Sequence, residues 1–198
     1  MTYEHILRYS SAVRVIGLTV VLAVGCTRDA APAECPTVDV GDLVVTEFRG
    51  PQSPEDLAGG VWVELYNASA SAIDLEGTKI RFRKKDGSDE VPVIVRRSLI
   101  VNAGEYAVLG LFNDDSTKPA HVNYGFALDF HQTFLAAAAV DVEACGLLID
   151  RAVYDVLPKT GTYSLGGAPD ATANETPANW CVNATPAGTP QQANPACP

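Results

Sequence analysis

The sequence predicts an all-β domain, and three features of the chain lead to that prediction. It contains 13 prolines and 16 glycines among 198 residues, which implies many turns. The stretches between these turns are rich in Val, Ile, Tyr and Phe, the residues that favour strands. The clearest of them, Val61–Asn67, alternates strictly, with Val63 and Leu65 on one face and Trp62 and Glu64 on the other.

The other elements follow from the same signals. The predicted strands are Asp42–Phe48, Val61–Asn67, Thr78–Lys84, Val91–Val95, Leu99–Val101, Glu105–Phe112, Phe134–Ala144 and Cys145–Val156. Four consecutive alanines give Phe134–Ala144 some helix propensity, but the segment is short and lies between strands, so we interpret it as a strand. From Gly166 onward the chain is rich in Ala, Pro, Asn and Thr. Trp180 and two cysteines indicate that this tail is fastened to the domain.

The N-terminus has the layout of an export signal. Arg8 and Arg14 precede an apolar run over 15–24, and Cys26 follows small residues. A membrane-spanning anchor is excluded by length, because ten helical residues span about 15 Å of a hydrocarbon core about 30 Å thick. The segment resembles the bacterial lipoprotein signal, which implies cleavage before Cys26 and attachment of a diacylglycerol to its thiol. Thr27, where aspartate often marks inner-membrane retention, favours the outer membrane.

The chain is therefore divided into three parts. Residues 1–25 are the predicted lipoprotein signal peptide, residues 26–41 a lipidated tether rich in Ala, Pro and Asp, and residues 42–198 one β domain. The net charge of −10 argues against nucleic acid and anionic lipid as general partners.

Four cysteines remain besides Cys26, and an even number in an exported chain predicts two disulfides. They are Cys35, Cys145, Cys181 and Cys197. Because they are scattered singly, without a C-x-x-C spacing, a zinc site is the weaker interpretation. Three pairings are possible. Our working expectation is Cys145 with Cys181 and Cys35 with Cys197, the second of which would tie the tether to the tail.

Six short motifs follow one another along the chain. They are the opening strand 44–48, Trp62-x-Glu64-Leu65-x-Asn67, Asp74-Leu75-x-Gly77, Gly104-x-Tyr106-x-Val108-Leu109, Asp150-x-x-Val153-Tyr154, and Trp180 followed by Thr185-Pro186-Ala187-Gly188 and Asn194. In this order the motifs resemble the lamin-tail domain. The resemblance covers residues 42–194 and implies an immunoglobulin-like β-sandwich with an interaction role. It implies no catalytic residues.

Several groups are candidates for chemistry. Glu47 and Glu64 form the best candidate for a carboxylate pair, although glutamates in such strands more often satisfy backbone groups. A basic strand suggests an anion-binding face, although alternating charge more often marks a solvated face that protects a sheet edge. The candidate anion-binding residues are Lys79, Arg81, Arg83, Lys85, Arg96 and Arg97. A calcium site is a weaker alternative. Its ligands would come from Asp39, Asp42, Glu55, Asp114 and Asp115, which show no D-x-D-x-D-G spacing.

The sequence thus predicts a non-catalytic, lipid-anchored protein of the cell envelope, on the outer membrane. It would present its β domain to an unidentified protein or polysaccharide, and it would need no cofactor or metal. No serine elbow accompanies His121 or His131. The alternative is an envelope hydrolase, or an accessory module that binds the substrate of one.

Overall fold

The computed structural model describes residues 30–32, 34–56, 58–113, 118–131, 134–135 and 137–198, and its regular structure is almost entirely β. The strands, β1 to β12 in chain order, are Leu43–Arg49, Trp62–Asn67, Ile73–Asp74, Lys79–Arg83, Val91–Ile94, Ile100–Val101, Tyr106–Gly110, Tyr124–Gly125, Ala138–Ala144, Leu147–Tyr154, Thr162–Leu165 and Trp180–Asn183. Among the described residues, helical structure is confined to α1 (Ala171–Asn174) and a 3-10 turn at Pro177–Asn179. The prediction of an all-β domain is confirmed.

Two sheets carry the architecture. The larger has six strands in the order β12-β11-β1-β2-β7-β8, and the smaller has four in the order β10-β9-β4-β5. All pairs within them are antiparallel except β7 with β8. A two-stranded ribbon joins β3 and β6. β1 lies in the middle of the larger sheet and is buried along its whole length.

The main core is built from inward-facing side chains of both large sheets. Val63 and Leu65 of β2 contribute to it together with Ile80 and Phe82 of β4, as the alternation in the sequence predicts. Trp62 faces the other way and packs in a separate small cluster outside the six-stranded sheet. That sheet is therefore covered on both faces.

Aromatic rings fill one region of the core. Phe82 contacts the rings of Phe126, Phe130 and Phe134 at centroid distances of 5.7, 5.2 and 5.2 Å. The last three side chains come from the irregular segment after β8, which thereby closes the smaller sheet. Such tilted and edge-on contacts contribute about 1 kcal/mol each beyond area burial.

All eight predicted strands overlap strands of the structure, including β9 within the alanine-rich segment. The two-residue strands β3 and β8 were not predicted from the sequence. Neither were β11 and β12, which extend the larger sheet beyond β1. Both are four residues long, and β12 lies in a tail rich in Ala, Pro, Asn and Thr. Such segments carry little strand signal, so only pairing with β1 and with each other defines them.

The four cysteines form two disulfides, as expected, but the predicted pairing is wrong. Cys35 bonds to Cys145, and Cys181 bonds to Cys197. The first bridge fastens the chain ahead of β1 to the turn between β9 and β10. The second closes a loop within the C-terminal tail. The expected pairs fail because Cys145 lies at the turn between β9 and β10, beside the segment that contains Cys35, whereas Cys181 lies on β12 and meets Cys197 from the same C-terminal tail.

Residues 34–41, which the sequence assigns to the tether, lie against the domain. Besides the Cys35 bridge, the Gly41 amide donates to the Ile149 carbonyl of β10 at 2.9 Å. Gly77 has φ +86° and no side chain where the backbone of Cys35 passes. Among the residues that the structure describes, no helix is both long and apolar enough to cross a membrane.

The two disulfides should differ in how much they stabilise the fold. They span 110 and 16 residues, so the entropy model assigns about 5 kcal/mol to the Cys35–Cys145 bridge and about 3 kcal/mol to the Cys181–Cys197 bridge. We expect the double variant C35S/C145S to lose more unfolding free energy in urea than C181S/C197S. Peptide mapping under non-reducing conditions checks the pairing, and a peptide joining Cys145 to Cys181 would contradict it.

Candidate functional site

A β-bulge in β1 brings two polar side chains to the outer face of the larger sheet. The register against β2 shifts between Val45 and Glu47, so that Thr46 is the extra residue. Without the shift, Glu47 would follow Leu43 and Val45 into the core. With it, Phe48 enters the core instead, and Glu47 lies directly opposite Glu64.

Glu47 is fully buried and accepts hydrogen bonds from several donors. Thr162 Oγ1 donates to Glu47 Oε1 at 2.5 Å, and Ser164 Oγ donates to the same oxygen at 2.8 Å. The Thr189 amide reaches the carboxylate at 3.2 Å, and the Thr189 hydroxyl reaches it at 3.2 Å as well. Burial raises the pKa of Glu47, while these donors act in the opposite direction because they favour the charged form.

Glu64 is also fully buried but has fewer donors. Thr46 Oγ1 donates to its Oε1 at 2.8 Å, and the Gln191 amide donates to its Oε2 at 2.6 Å. Burial, together with the neighbouring negative charge of Glu47, raises the pKa of Glu64 to about 8. Because Glu47 has more hydrogen-bond donors around it than Glu64, the negative charge belongs on Glu47 and the proton on Glu64.

The cover over the pair is residues 184–194, which we call the C-terminal strap. Two of its backbone amides, those of Thr189 and Gln191, bond to the glutamates. Asn194 Nδ2 donates to the Thr46 carbonyl at 2.9 Å. Gly188, with φ +70°, passes so close that a Cβ there would lie 2.5 Å from Thr162 Cγ2. Only glycine fits that position without displacing the strap.

Polar contacts hold the strap in place. It has no charged and no large apolar side chain, and each of its residues is exposed or half-buried. The Cys181–Cys197 bridge closes the loop around it. Because little apolar surface is buried under it, its position depends on the carboxylates beneath it and on the disulfide.

Arg49 is a site residue that the sequence analysis missed. It is 1% exposed, and its Nε donates to the Pro186 carbonyl of the strap at 3.1 Å. Its other nitrogens bond to the Gly60 carbonyl and to Asp56, the latter at 2.6 Å. Arg49 could have been found from its spacing, because residues two apart on a strand, such as Glu47 and Arg49, share a face. The predicted strand ended one residue too early to include it.

The pair has the elements of an acid–base site, one carboxyl group protonated and the other charged. Both glutamates are 0% exposed, however, so a substrate could reach them only if the strap moved away. In this structure the glutamates accept hydrogen bonds from the backbone amides of Thr189 and Gln191. That is the structural role the sequence analysis preferred for them.

The site makes stability depend on pH. Because the pKa of Glu64 is about 8 when folded and near 4.5 when free, the folded protein binds the additional proton between those values. Its unfolding free energy therefore falls as pH rises through that interval. We expect Glu64→Gln, which keeps an acceptor oxygen, to gain stability over wild type as pH rises from about 5 to about 9.

Urea unfolding at several pH values measures this difference. Glu55→Gln is the matched control, because Glu55 is exposed and its substitution should leave the pH profile unchanged. A constant difference between Glu64→Gln and wild type across the range would show that Glu64 is charged in the folded protein at all these pH values.

The predicted basic face is a ladder of ion pairs. On the outer side of the smaller sheet, Arg81 lies opposite Asp141, and Lys79 lies opposite Glu143. Asp141 is 1% exposed and accepts two bonds from Arg83, at 2.8 and 3.2 Å. It accepts two more from Arg151, at 2.7 and 3.1 Å.

The remaining basic candidates also have partners. Glu143 binds both Lys79, at 3.0 Å, and Arg81, at 2.9 Å. Lys85, beyond the end of β4, pairs with Asp155, and Arg96 pairs with Asp129 at 3.3 Å. Arg81 also pairs with Glu90, and Arg97 lies over the ring of Tyr124. Most of the basic side chains that would bind an external anion are therefore already paired with carboxylates of the protein. The acidic partners could have been predicted from the sequence, because Asp141 and Glu143 are two residues apart, the same spacing as that of the basic residues on β4.

Asp141 should be the most sensitive position of this ladder. Its replacement by Asn leaves the nearly buried guanidinium of Arg83 without its charged partner, which we expect to cost about 3 kcal/mol of unfolding free energy. Asp155→Asn removes the partner of Lys85, where the carboxylate side chain is 86% exposed, and should leave stability unchanged. Equal urea midpoints for Asp141→Asn and wild type would contradict this role.

Asp150, a further buried carboxylate, supports β1 where β11 does not reach. The pairing of β11 with β1 includes Glu47 and Phe48. Upstream, the Val45 amide donates to Asp150 Oδ2 at 2.7 Å, and Asn174 Nδ2 donates to the Val45 carbonyl at 3.2 Å. Asn174 also bonds to Asp150 at 2.7 Å. Burial raises the pKa of Asp150 to about 6. No pattern in the sequence indicated this role for Asn174.

The other candidates are not brought together. His121 Nε2 lies 3.3 Å from the Gly59 carbonyl. Asp42 Oδ2 accepts the Asp39 amide. Within the described ranges, no three His, Cys, Asp or Glu side chains converge as a metal site would require. Asp114 and Asp115 lie outside the described residues.

The predicted signal peptide, residues 1–25, and Cys26 also lie outside the described residues. Comparison with known proteins assigns no family: no protein-family model matches the chain, and no curated protein is significantly similar to it.

Proposed function

We propose that this protein is a non-catalytic, lipid-anchored component of the bacterial cell envelope, in which an immunoglobulin-like β-sandwich of the lamin-tail type presents a surface to a protein or glycan partner. The observation that carries the proposal is the pair of disulfides, Cys35–Cys145 and Cys181–Cys197. Disulfides persist in oxidising, exported compartments. They agree with the export signal and with Cys26 as its lipidation site.

The positions of the motif residues support the lamin-tail interpretation. Trp62 and Glu64 lie on β2, beside Glu47 of β1. The late motif supplies Gly188 and Asn194, which belong to the strap over these residues. Motif pieces far apart in the chain thus meet at one structural feature, which is what a shared fold would require.

The proposed display surface is the end of the domain opposite Cys35. Three loops meet there, residues 50–60, 84–90 and 155–161. The Ser53 amide donates to the Lys159 carbonyl at 2.7 Å, and Lys85 pairs with Asp155. Loops held by a rigid sheet scaffold are the usual place for recognition.

A groove at this end offers mixed chemistry. Its lining includes Pro51, Gln52, Glu55, Leu111 and Phe112. It combines a ring and aliphatic surface with amide and carboxylate groups. A few polar groups beside apolar surface are what a concave binding site needs to orient a ligand, and they suit the hydroxyls and apolar faces of a sugar.

The hydrolase alternative depends on Glu47 and Glu64 alone. Both accept bonds from the strap and are closed off from solvent. Catalysis would require the strap to leave and water to enter. An anchoring role uses the same contacts without any such motion, so we favour the non-catalytic function.

The lipid anchor can be tested by replacing Cys26 with alanine. We expect wild type to fractionate with membranes and Cys26→Ala to lose that association, because the variant has no thiol to receive the lipid. Thr27→Ala is the matched control and should remain with the membrane. Mass spectrometry of the mature protein should find residue 26 at the N-terminus with the mass of the lipid. An unmodified Cys26 in the membrane fraction would refute the proposal.

A further inference from the structure

One end of the domain combines the entry of the chain with exposed apolar side chains. In the described part of the chain, eight large apolar residues are exposed, and four of them lie at this end. They are Val40 (70% exposed), Ile100 (63%), Leu147 (46%) and Leu148 (38%), which we call the tether-end patch. Exposed apolar residues that occur together, rather than singly, mark an interaction surface.

Neighbouring residues place all four at one end of the domain. Val40 and Leu148 line the same groove. Leu147 begins β10 immediately after the turn that contains Cys145, the partner of Cys35. Ile100 pairs with Asp74, and Asp74 lines a groove that also includes Cys35.

The length of the chain before Cys35 limits where this end can lie. Nine residue steps separate Cys26 from Cys35, and an extended chain of that length spans about 30 Å at most. The eight residues of β10 run from this end toward the other and cover about 27 Å. With the far end against the membrane, the tether would have to be almost fully extended. With the near end against it, the tether keeps its conformational freedom.

We infer that the tether-end patch rests on the lipid surface, with Val40, Ile100, Leu147 and Leu148 in the headgroup region of the bilayer. The inference rests on the proposed lipid anchor, since it uses the acyl chains at Cys26 to hold the domain near the membrane. The contact orients the domain, so that the loops at 50–60, 84–90 and 155–161 point away from the bilayer. A short anchor with a weak apolar contact is a two-part membrane attachment.

The charges around the patch specify the kind of lipid. Glu34, Asp39, Asp42 and Glu76 lie at the same end and are exposed or half-buried. A surface of this sign is repelled by anionic headgroups. The patch therefore suits a zwitterionic surface such as phosphatidylethanolamine, and its contact with anionic lipid should recover when salt screens the repulsion.

Tryptophan placed at single positions of the mature, lipidated protein tests this orientation. Leu147→Trp reports on the patch, and Val182→Trp is the matched control, because Val182 is similarly exposed (55%) on β12 near the opposite end. Each variant is reconstituted into vesicles of phosphatidylethanolamine with brominated phosphatidylcholine, which quenches nearby indoles. The native Trp62 and Trp180 are buried and give a constant background. Leu148→Trp is the second patch variant if Leu147→Trp fails to fold.

We expect quenching of Leu147→Trp to exceed that of Val182→Trp by about twofold or more, and to fall when anionic lipid is added at low salt. Flotation of the vesicles separates the two proposals. If the lipidated protein floats with the vesicles but both tryptophans are quenched equally, the orientation is wrong and the anchor stands. If the protein does not float, the anchor itself is wrong.

Discussion

The packing of the larger sheet depends on one buried contact, the Glu47–Glu64 pair beneath the C-terminal strap. A sheet of six strands with a core on one face normally leaves the other face to water. Here the part of the outer face that holds the two glutamates is closed by a segment without large apolar side chains, so polar bonds must hold that segment. The two carboxyl groups provide the acceptors for the amides of Thr189 and Gln191. Because burial and mutual repulsion keep a proton on Glu64, the pair carries about one negative charge rather than two.

β1 connects this contact to the rest of the domain. Its bulge exchanges Glu47 for Phe48 on the core face, and Phe48 then packs against Tyr154 and Trp180 at centroid distances of 5.2 and 5.4 Å. Upstream of the bulge, Asp150 and Asn174 take the place of a neighbouring strand at Val45. Carboxylates thus satisfy backbone groups on both sides of the bulge. A single irregular position therefore determines where the strap, α1 and β10 can lie.

The basic strand shows how an acidic chain uses its few cations. Asp141, almost fully buried, receives both Arg83 and Arg151, and Glu143 receives both Lys79 and Arg81. Bidentate guanidinium–carboxylate contacts fix strand register as well as charge. The ladder thereby joins three strands of the smaller sheet, and the alternation that suggested an anion-binding face is explained by β9 itself.

The sequence by itself determined the all-β class, the positions of most strands, the inward face of β2 and β4, and the presence of two disulfides. These follow from local composition, from a period of two and from an even number of cysteines, all of which are visible within short windows. Glu47 and Glu64 could be recognised as neighbours on adjacent strands.

Tertiary structure alone decided the disulfide pairing, the bulge at Thr46, the short strands β11 and β12, and the burial of the glutamates under residues 184–194. Several of these depend on segments more than 100 residues apart in the chain, as Cys35 is from Cys145, Glu47 from Thr189 and Val45 from Asp150. Local propensity has no information about such contacts, because their free energy arises only when the two sheets have packed and water has been excluded from the space between strap and sheet.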